Sequence, residues 1–220
     1  MRLAITRHRC KTGRVTSTAP DLSQRYSSAA ARWSDKMRVL GYLDGYLGFL
    51  SHRHRENVAG QSVIDIGTGT GAMAEAFVAV NGPPAEMTLL DPSERMLNHA
   101  RDALMARKVA ARMELAGLTE DTSGQFDTLL AAHVIEHFDD PAWALAQMRR
   151  ISRPGAQLWL VVSKPHWCSV LIWLKWRHRT FRQDEIVAML GSAGFEPEGF
   201  YAFPAGPPSR TSFGVVARAV

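Results

Sequence analysis

The stretch VIDIGTGTG, residues 63–71, constrains the fold most, because an apolar run leads directly into three glycines on alternate positions. Glycine weakens regular structure, so three in one turn indicate a backbone with positive φ or a close approach by another group. Residues 72–80 then form a run of small and apolar residues typical of a helix. A strand, a glycine turn and a helix N-terminus together predict a place where a nucleotide-like ligand lies against the backbone.

Strand-length apolar runs alternate with helical stretches from residue 62 onward. The runs are 63–66, 87–90, 111–115, 127–132 and 157–162, with helical stretches at 71–80, 93–106 and 141–152. A later helix is predicted to begin with Thr180 as its N-cap, and two pieces at 196–203 and 212–219 are predicted as a closing antiparallel pair. This pattern predicts an α/β, Rossmann-like doubly wound sheet that is mostly parallel and binds ligands at the carboxyl ends of its strands.

The chain is predicted to divide into three parts. Residues 1–20 carry five basic residues and no acid, and they lack the apolar core of a secretory signal, so a flexible basic arm is expected. Residues 21–57 show apolar residues at helical spacing and are predicted to form an N-terminal helical cap or lid. Residues 58–220 would form the ligand-binding domain.

Composition narrows the class of protein. A chain of 220 residues with 46% hydrophobic residues is expected to fold as one globular unit, and no apolar run reaches the roughly 20 residues of a spanning helix. Two cysteines predict neither a disulfide framework nor a metal site, and they favour a reducing, cytoplasmic setting. The net charge is +5, and residues 141–183 contain basic residues but no acid. This uneven charge indicates either an anionic partner or a solvated basic face.

Two aspartates decide which nucleotide-like ligand the turn suits. Asp65 stands just before the first glycine and would repel a pyrophosphate while attracting an ammonium or sulfonium group. Asp91 ends the next predicted strand, where an acid commonly binds ribose hydroxyls, although it could instead cap the helix that follows. A ribosyl ligand with a cationic amino-acid end and no phosphate fits both acids, and S-adenosylmethionine meets that description.

Over roughly residues 60–220 the sequence resembles the class I S-adenosylmethionine-dependent methyltransferases, in the branch of quinone-biosynthesis and other small-molecule enzymes. The resemblance rests on VIDIGTGTG, LLDPSERML, FDTLLAAHVIEHFDDP and RISRPGAQLWL. It implies a seven-stranded sheet, S-adenosylmethionine as methyl donor and S-adenosylhomocysteine as product. The cofactor-binding residues that it implies are Asp65, Gly67, Thr68, Gly69, Gly71, Asp91, Pro92, Met96 and His133.

The third strand departs from the family pattern. That strand usually ends in an acid that reaches the adenine amino group, whereas MELAGLTEDTS has none at that point. The adenine is therefore expected to contact the backbone around Gly117 and Leu118, with Thr119 or Glu120 as added contacts.

Three histidines are candidates for a general base, which is required only where the acceptor must lose a proton. His133 ranks first because the end of the fourth strand faces the methyl group in this family, and His166 follows the fifth strand. His133 could instead be a structural histidine at the strand end, and His137 could hold the shape of the loop after the fourth strand. The predicted acceptor contacts are Tyr26, Trp33, His137, His166 and Trp167.

The segment 164–182 combines tryptophans with five basic residues, and Trp159 stands just before it. This composition is typical of a membrane-interface element, but it also suits a core-packed helix or another ligand. The expected substrate is a small lipophilic acceptor, either a phospholipid amine or a quinone precursor, with peripheral contact to an anionic membrane. A soluble metabolite and a non-catalytic cofactor-binding protein remain alternatives, while nucleic acid is disfavoured because residues 131–134 lack the Asn/Asp-Pro-Pro-Tyr/Phe tetrapeptide.

Overall fold

A computed structural model describes residues 40–52, 58–166 and 179–220. The predicted arm, the lid residues Tyr26 and Trp33, and the acceptor contact Trp167 lie outside these residues. The same holds for most of the predicted cap and for the part of the tryptophan-rich segment between residues 167 and 178.

Seven strands form a single sheet in the order β3-β2-β1-β4-β5-β7-β6. The first five strands are parallel, and β7 runs antiparallel to both of its neighbours, β5 and β6. The fold class predicted from the sequence, including the closing antiparallel pair, is thus confirmed. The strands are β1 Ser62–Ile66, β2 Glu86–Leu90, β3 Arg112–Glu114, β4 Phe126–Ala132, β5 Ser152–Ser163, β6 Phe195–Tyr201 and β7 Ser212–Ala219.

In the described residues, one helix precedes β1 and a helix lies in every connection between consecutive strands except that from β3 to β4. The helices are α1 Tyr42–Ser51, α2 Ala72–Asn81, α3 Glu94–Ala106, α4 Pro141–Arg150, α5 Gln183–Ala193 and α6 Gly206–Thr211, with a short 3₁₀ turn at Ile135–His137. The Asp140 carboxylate caps α4 by accepting the Ala142 and Trp143 N–H groups, and Pro141 occupies the first turn as predicted.

The predicted start of α5 is wrong. Its N-cap is Arg182 rather than Thr180, because Glu185 folds back to accept the Arg182 N–H at 2.8 Å. Phe181, the residue before the cap, is buried and donates its N–H to the Ser163 carbonyl at 2.8 Å.

Two apolar layers cover the sheet, one on each face. Alternate strand residues such as Ile64 and Leu129 pack with α4 and α5 on one face, whereas Val63 and Leu89 pack with α1, α2 and α3 on the other. Each large apolar side chain buried in this way contributes roughly 1.5–3 kcal/mol. Helices on both faces leave the carboxyl ends of the parallel strands as the edge where a ligand can approach.

Trp159 belongs to the core. Its side chain is fully buried in β5, and its ring meets the Phe49 ring edge-on with 5.1 Å between centroids. For this tryptophan, core packing holds and the membrane-interface interpretation is wrong.

Candidate functional site

The glycine turn between β1 and α2 has the backbone that the sequence predicts. Gly67, Gly69 and Gly71 have φ values of 63°, 53° and 85°, in the left-handed region that favours glycine. A Cβ on Gly67 would lie 2.7 Å from Val134 Cγ2, and one on Gly71 would lie 2.7 Å from the Ala100 Cα. Of the atoms in the described ranges, the nearest to a Cβ on Gly69 is 4.0 Å away, so those ranges leave room for a ligand at the middle of the turn.

Asp65 lies beneath this turn and is almost completely buried. Its carboxylate accepts the Thr68 hydroxyl at 2.7 Å. Burial raises the pKa of Asp65 from 3.8 to about 7, and the nearby Asp91 carboxylate adds to the rise. A cation placed against Asp65 would favour its ionised form, so the site suits a positively charged ligand.

Asp91 joins the end of β2 to the glycine turn. One carboxylate oxygen accepts the Gly69 N–H at 2.9 Å and the other accepts the Ser93 N–H at 2.8 Å. Ser93, not Asp91, is the N-cap of α3, so the alternative in which Asp91 caps that helix is wrong. Burial raises the pKa of Asp91 above its usual value. The two acids therefore flank one turn, as a ligand with a cation and a ribose requires.

The residues expected around an adenine differ in how exposed they are. Met96 is buried in the first turn of α3, Pro92 is exposed, and Leu118 is buried beyond the end of β3. Among the described residues, a Cβ on Gly117 would meet nothing within 4 Å, so they leave the backbone there open to a ligand. Thr119 is held in its own turn, where its N–H donates to the Thr122 hydroxyl at 2.9 Å.

His133 follows β4 with a φ of 57°, in the left-handed region that residues other than glycine seldom adopt. Its Nδ1 lies 3.2 Å from Glu136 Oε1 and 3.1 Å from Ser163 Oγ, and its Nε2 lies 3.4 Å from Ser212 Oγ. Ser163 and Ser212 face each other across β5 and β7. Three separate stretches of the chain thus converge on one imidazole.

Sequence reasoning did not place Tyr42 beside His133. Its ring lies edge-on to the His133 ring with 5.7 Å between centroids, and its hydroxyl is 3.2 Å from Thr211 Oγ1. Tyr46, one helical turn later, is buried, and burial together with the Tyr42, Asp65 and Glu136 groups raises its pKa well above the usual value. The only sequence signal is the spacing of four between the two tyrosines, which places them on one face of α1.

The other two histidines lie near the same edge of the sheet. His137 ends the 3₁₀ turn, and burial lowers its pKa, an effect that His133 increases and Glu136 opposes. His166 is half-buried three residues beyond β5. Its position after the fifth strand keeps it a candidate acceptor contact.

Among residues 40–52, 58–166 and 179–220, no group of three metal-ligating side chains is close enough to hold an ion. No helix in the same residues has the length and apolar character to cross a membrane.

The donor set fits S-adenosylmethionine. The buried carboxylate of Asp65 suits a cationic end, the oxygens of Asp91 suit hydroxyl groups, and the glycine backbone leaves room between them. Asp65, Gly69 and Asp91 are therefore the residues that would hold that cofactor, with Met96 and Leu118 as candidate apolar contacts.

Residues 64–158 match the family described as "Methyltransferase domain". The chain is 34% identical over 110 residues to the ubiquinone/menaquinone biosynthesis C-methyltransferase UbiE of Cupriavidus metallidurans, a match that covers 49% of this chain and 45% of that one. It is also 34% identical over 109 residues to a ubiquinone biosynthesis O-methyltransferase of Pseudomonas aeruginosa, covering 48% and 46% of the two chains. The matches thus span about half the length of these curated relatives.

Among solved structures, the fold is similar to magnesium protoporphyrin IX methyltransferase from Synechocystis with bound S-adenosylhomocysteine, with a TM-score of 0.72. The two chains are 15% identical, and the match covers 93% of this chain and 100% of the other. At that identity the likeness concerns the fold.

Proposed function

We propose that this chain, which belongs to the class I S-adenosylmethionine-dependent methyltransferases and carries their domain over residues 64–158, transfers a methyl group to a small aromatic acceptor of the quinone-precursor type. The observation that carries the proposal is the pair of buried acids, Asp65 and Asp91, on either side of a glycine turn that has room for a ligand. Because a fold alone does not determine activity, the proposal depends on the residues of this site.

On the cofactor side, the chain's residues bind the cofactor and orient it. Bound S-adenosylmethionine supplies a methyl group already activated by its sulfonium. The contribution of Asp65 is to attract the cationic end, and that of Asp91 is to fix the ribose against the turn. Positioning of this kind is worth roughly 7–11 kcal/mol of the barrier.

On the acceptor side, His133 is the proposed general base. It lies at the carboxyl end of β4, between the glycine turn and the β5–β7 edge, and Glu136, Ser163 and Ser212 orient its ring. A ring hydroxyl or ring carbon of a quinone precursor must lose a proton during methylation, so a base is required. The two relatives named above are a C- and an O-methyltransferase of quinone biosynthesis, which supports this acceptor class over a phospholipid amine.

The described basic residues of the segment 164–182 have local partners. The Lys164 ammonium donates to the Ser209 carbonyl at 2.7 Å, the Arg179 guanidinium lies 5.5 Å from the centre of the Phe181 ring, and Arg182 pairs with Asp184 at 3.2 Å. Arg179 and Arg182 are exposed despite these partners, and Lys175 and Arg177 lie outside the described residues.

The test supplies labelled S-adenosylmethionine with three acceptors in parallel: an alkyl-substituted dihydroxybenzene, vesicles containing phosphatidylethanolamine, and a water-soluble catechol. We expect label in the alkyl-substituted ring compound. Label in the phospholipid would establish the amine alternative, and label in the soluble catechol alone would establish the soluble-metabolite alternative. Cofactor binding without label in any acceptor would support a non-catalytic role.

A matched pair of variants distinguishes chemistry from binding. His133→Gln is expected to lower kcat by roughly 100-fold or more, as loss of a general base does, while leaving cofactor affinity within about twofold. His99→Gln, on the solvent side of α3, serves as the control. Equal kcat values for wild type and His133→Gln would remove His133 as the base.

A further inference from the structure

Glu136 is fixed beneath the strand ends. It lies in the 3₁₀ turn with 2% of its surface exposed, and its Oε1 accepts the Ser163 N–H at 2.7 Å. A buried carboxylate is costly unless donors surround it, so a carboxylate at this position indicates a purpose beyond packing. The same Oε1 lies 3.2 Å from His133 Nδ1.

This contact selects one tautomer of the imidazole. An ionised carboxylate can only accept a hydrogen bond, so the nitrogen facing it carries the proton. His133 Nδ1 then donates to Glu136, and Nε2 keeps its lone pair. The Nε2 atom is therefore the basic end of the ring.

A row of hydroxyls leads away from Nε2. Ser212 Oγ lies 3.4 Å from Nε2 and 3.4 Å from Thr211 Oγ1, which lies 3.2 Å from the Tyr42 hydroxyl. The Thr211 hydroxyl donates to the Pro207 carbonyl at 3.0 Å, so its oxygen can accept from Tyr42. The single Ser212 proton can go to Thr211 Oγ1 or to Nε2, and an Nε2 that keeps its lone pair can accept it. The 3.4 Å contacts are long for O–H donors, so an incoming hydroxyl can replace Ser212 at Nε2.

We propose that Glu136 is a positioning residue that holds His133 with its basic Nε2 turned toward the acceptor, and that the acceptor offers a phenolic hydroxyl to that nitrogen; this rests on the proposed function. In the step, the hydroxyl proton passes to Nε2 and the O–H bonding pair stays on oxygen. That oxygen forms the bond to the methyl carbon, and the pair of the broken carbon–sulfur bond remains on sulfur. The imidazolium that results is stabilised by the Glu136 carboxylate.

An imidazole base requires an acceptor whose hydroxyl group gives up its proton readily. A phenol is much more acidic than an aliphatic alcohol, so an imidazole base can take its proton far more easily. Within the part of the chain that the structure describes, Glu136 and His137 from the same turn and Tyr42 from α1 are titratable groups near His133, while β5 and β7 contribute the Ser163 and Ser212 hydroxyls.

The first test needs no activity. Nitrogen-15 NMR of histidine-labelled protein, with the His133 signal assigned from His133→Gln, reports which ring nitrogen carries the proton. We expect the Nδ1–H form in the wild type, and a marked shift toward Nε2–H in Glu136→Gln, whose amide can donate to Nδ1. Nε2–H in the wild type would overturn the proposal without recourse to any variant.

The second test is kinetic and uses a matched control. Glu136→Gln should lower kcat by roughly 10- to 100-fold and move the acid limb of its pH profile to lower pH, with the KM for S-adenosylmethionine unchanged. Glu198→Gln, which removes a carboxylate that pairs with Arg218 on β7, should leave the profile as it is. An unshifted profile in Glu136→Gln would show a merely structural residue.

A third test compares two acceptors that differ only in carrying a hydroxyl group or an amine. Methyl transfer to a phenol but not to the same ring bearing an amine supports the hydroxyl assignment, and the reverse overturns it. If no acceptor is methylated at all, the proposed function fails, yet the NMR result still decides whether Glu136 sets the tautomer of His133.

Discussion

The two halves of the site are built differently. The half proposed for the cofactor comes from one short piece of chain, residues 63–91, in which a strand, a turn and the next strand end bring Asp65, Gly69 and Asp91 together. The half proposed for the acceptor gathers Tyr42, His133 and Ser212 from distant parts of the sequence. Backbone conformation defines the first half, whereas the second depends on side chains that meet only when α1, β4 and β7 are assembled.

The largest expected effect tests how far the backbone defines the first half. Gly71→Ala adds strain at a φ of 85° and forces a Cβ to within 2.7 Å of the α3 backbone, so it should destabilise the fold by up to about 5 kcal/mol. Gly69→Ala, at a φ of 53° with no close neighbour, is the matched control and should cost only about 1–2 kcal/mol. Urea denaturation measures both, and equal losses would contradict the packing argument.

The next effect concerns pH. Because the folded pKa of Asp65 is about 7 rather than 3.8, the folded protein holds a proton that the unfolded chain releases between those values. The free energy of unfolding of the ligand-free protein should therefore fall as the pH rises from about 4 to about 7, with Asp65 contributing roughly 4 kcal/mol at most. Asp65→Asn should remove this part of the slope in denaturation series at pH 5 and pH 8. Parallel slopes for the two proteins would refute it.

A smaller effect is expected for the second acid. Asp91→Ala removes acceptors for hydroxyl groups and should weaken S-adenosylmethionine binding by about 1.5–3 kcal/mol, or roughly 10- to 150-fold, in calorimetry. Asp127→Asn is the control, since Asp127 also accepts a backbone N–H, that of Ser62 at 2.9 Å, but lies at the opposite ends of the strands. Unchanged affinity in Asp91→Ala would exclude Asp91 from the ribose contact.

The smallest expected effect is a loss of stability from a change in the half of the site proposed for the acceptor. Tyr42→Phe removes the 3.2 Å contact with Thr211 and should cost about 0.5–1.5 kcal/mol of stability without changing cofactor affinity. A loss of cofactor affinity equal to that in Asp91→Ala would show that the two halves are not separable. Thermal melting together with calorimetry on the same samples decides this.

This difference explains what could be predicted from the sequence. The glycine turn and the two acids follow from residues close together in the chain, and the period of the apolar runs predicts the sheet. The partners of His133 could not be predicted in the same way, because Ser163 and Ser212 meet through the antiparallel register of β5 and β7, which no local pattern encodes. The predicted start of α5 was wrong for a related reason. Thr180 is a good N-cap by type, but buried Phe181 bonds to the distant Ser163 carbonyl, and the helix begins only after Arg182.

The insertion of β7 between β5 and β6 has a consequence for how the protein is made. During synthesis, residues 62–163 emerge before residues 212–219 and can already form β1 to β5, including the turn with its two acids. The position beside β5 is filled only when residues 212–219 appear, and Ser212 at the start of β7 arrives with them. A growing chain would thus acquire its proposed methyl-donor pocket before the surroundings of His133 are complete, so binding of the donor during translation could stabilise the nascent domain ahead of any chemistry.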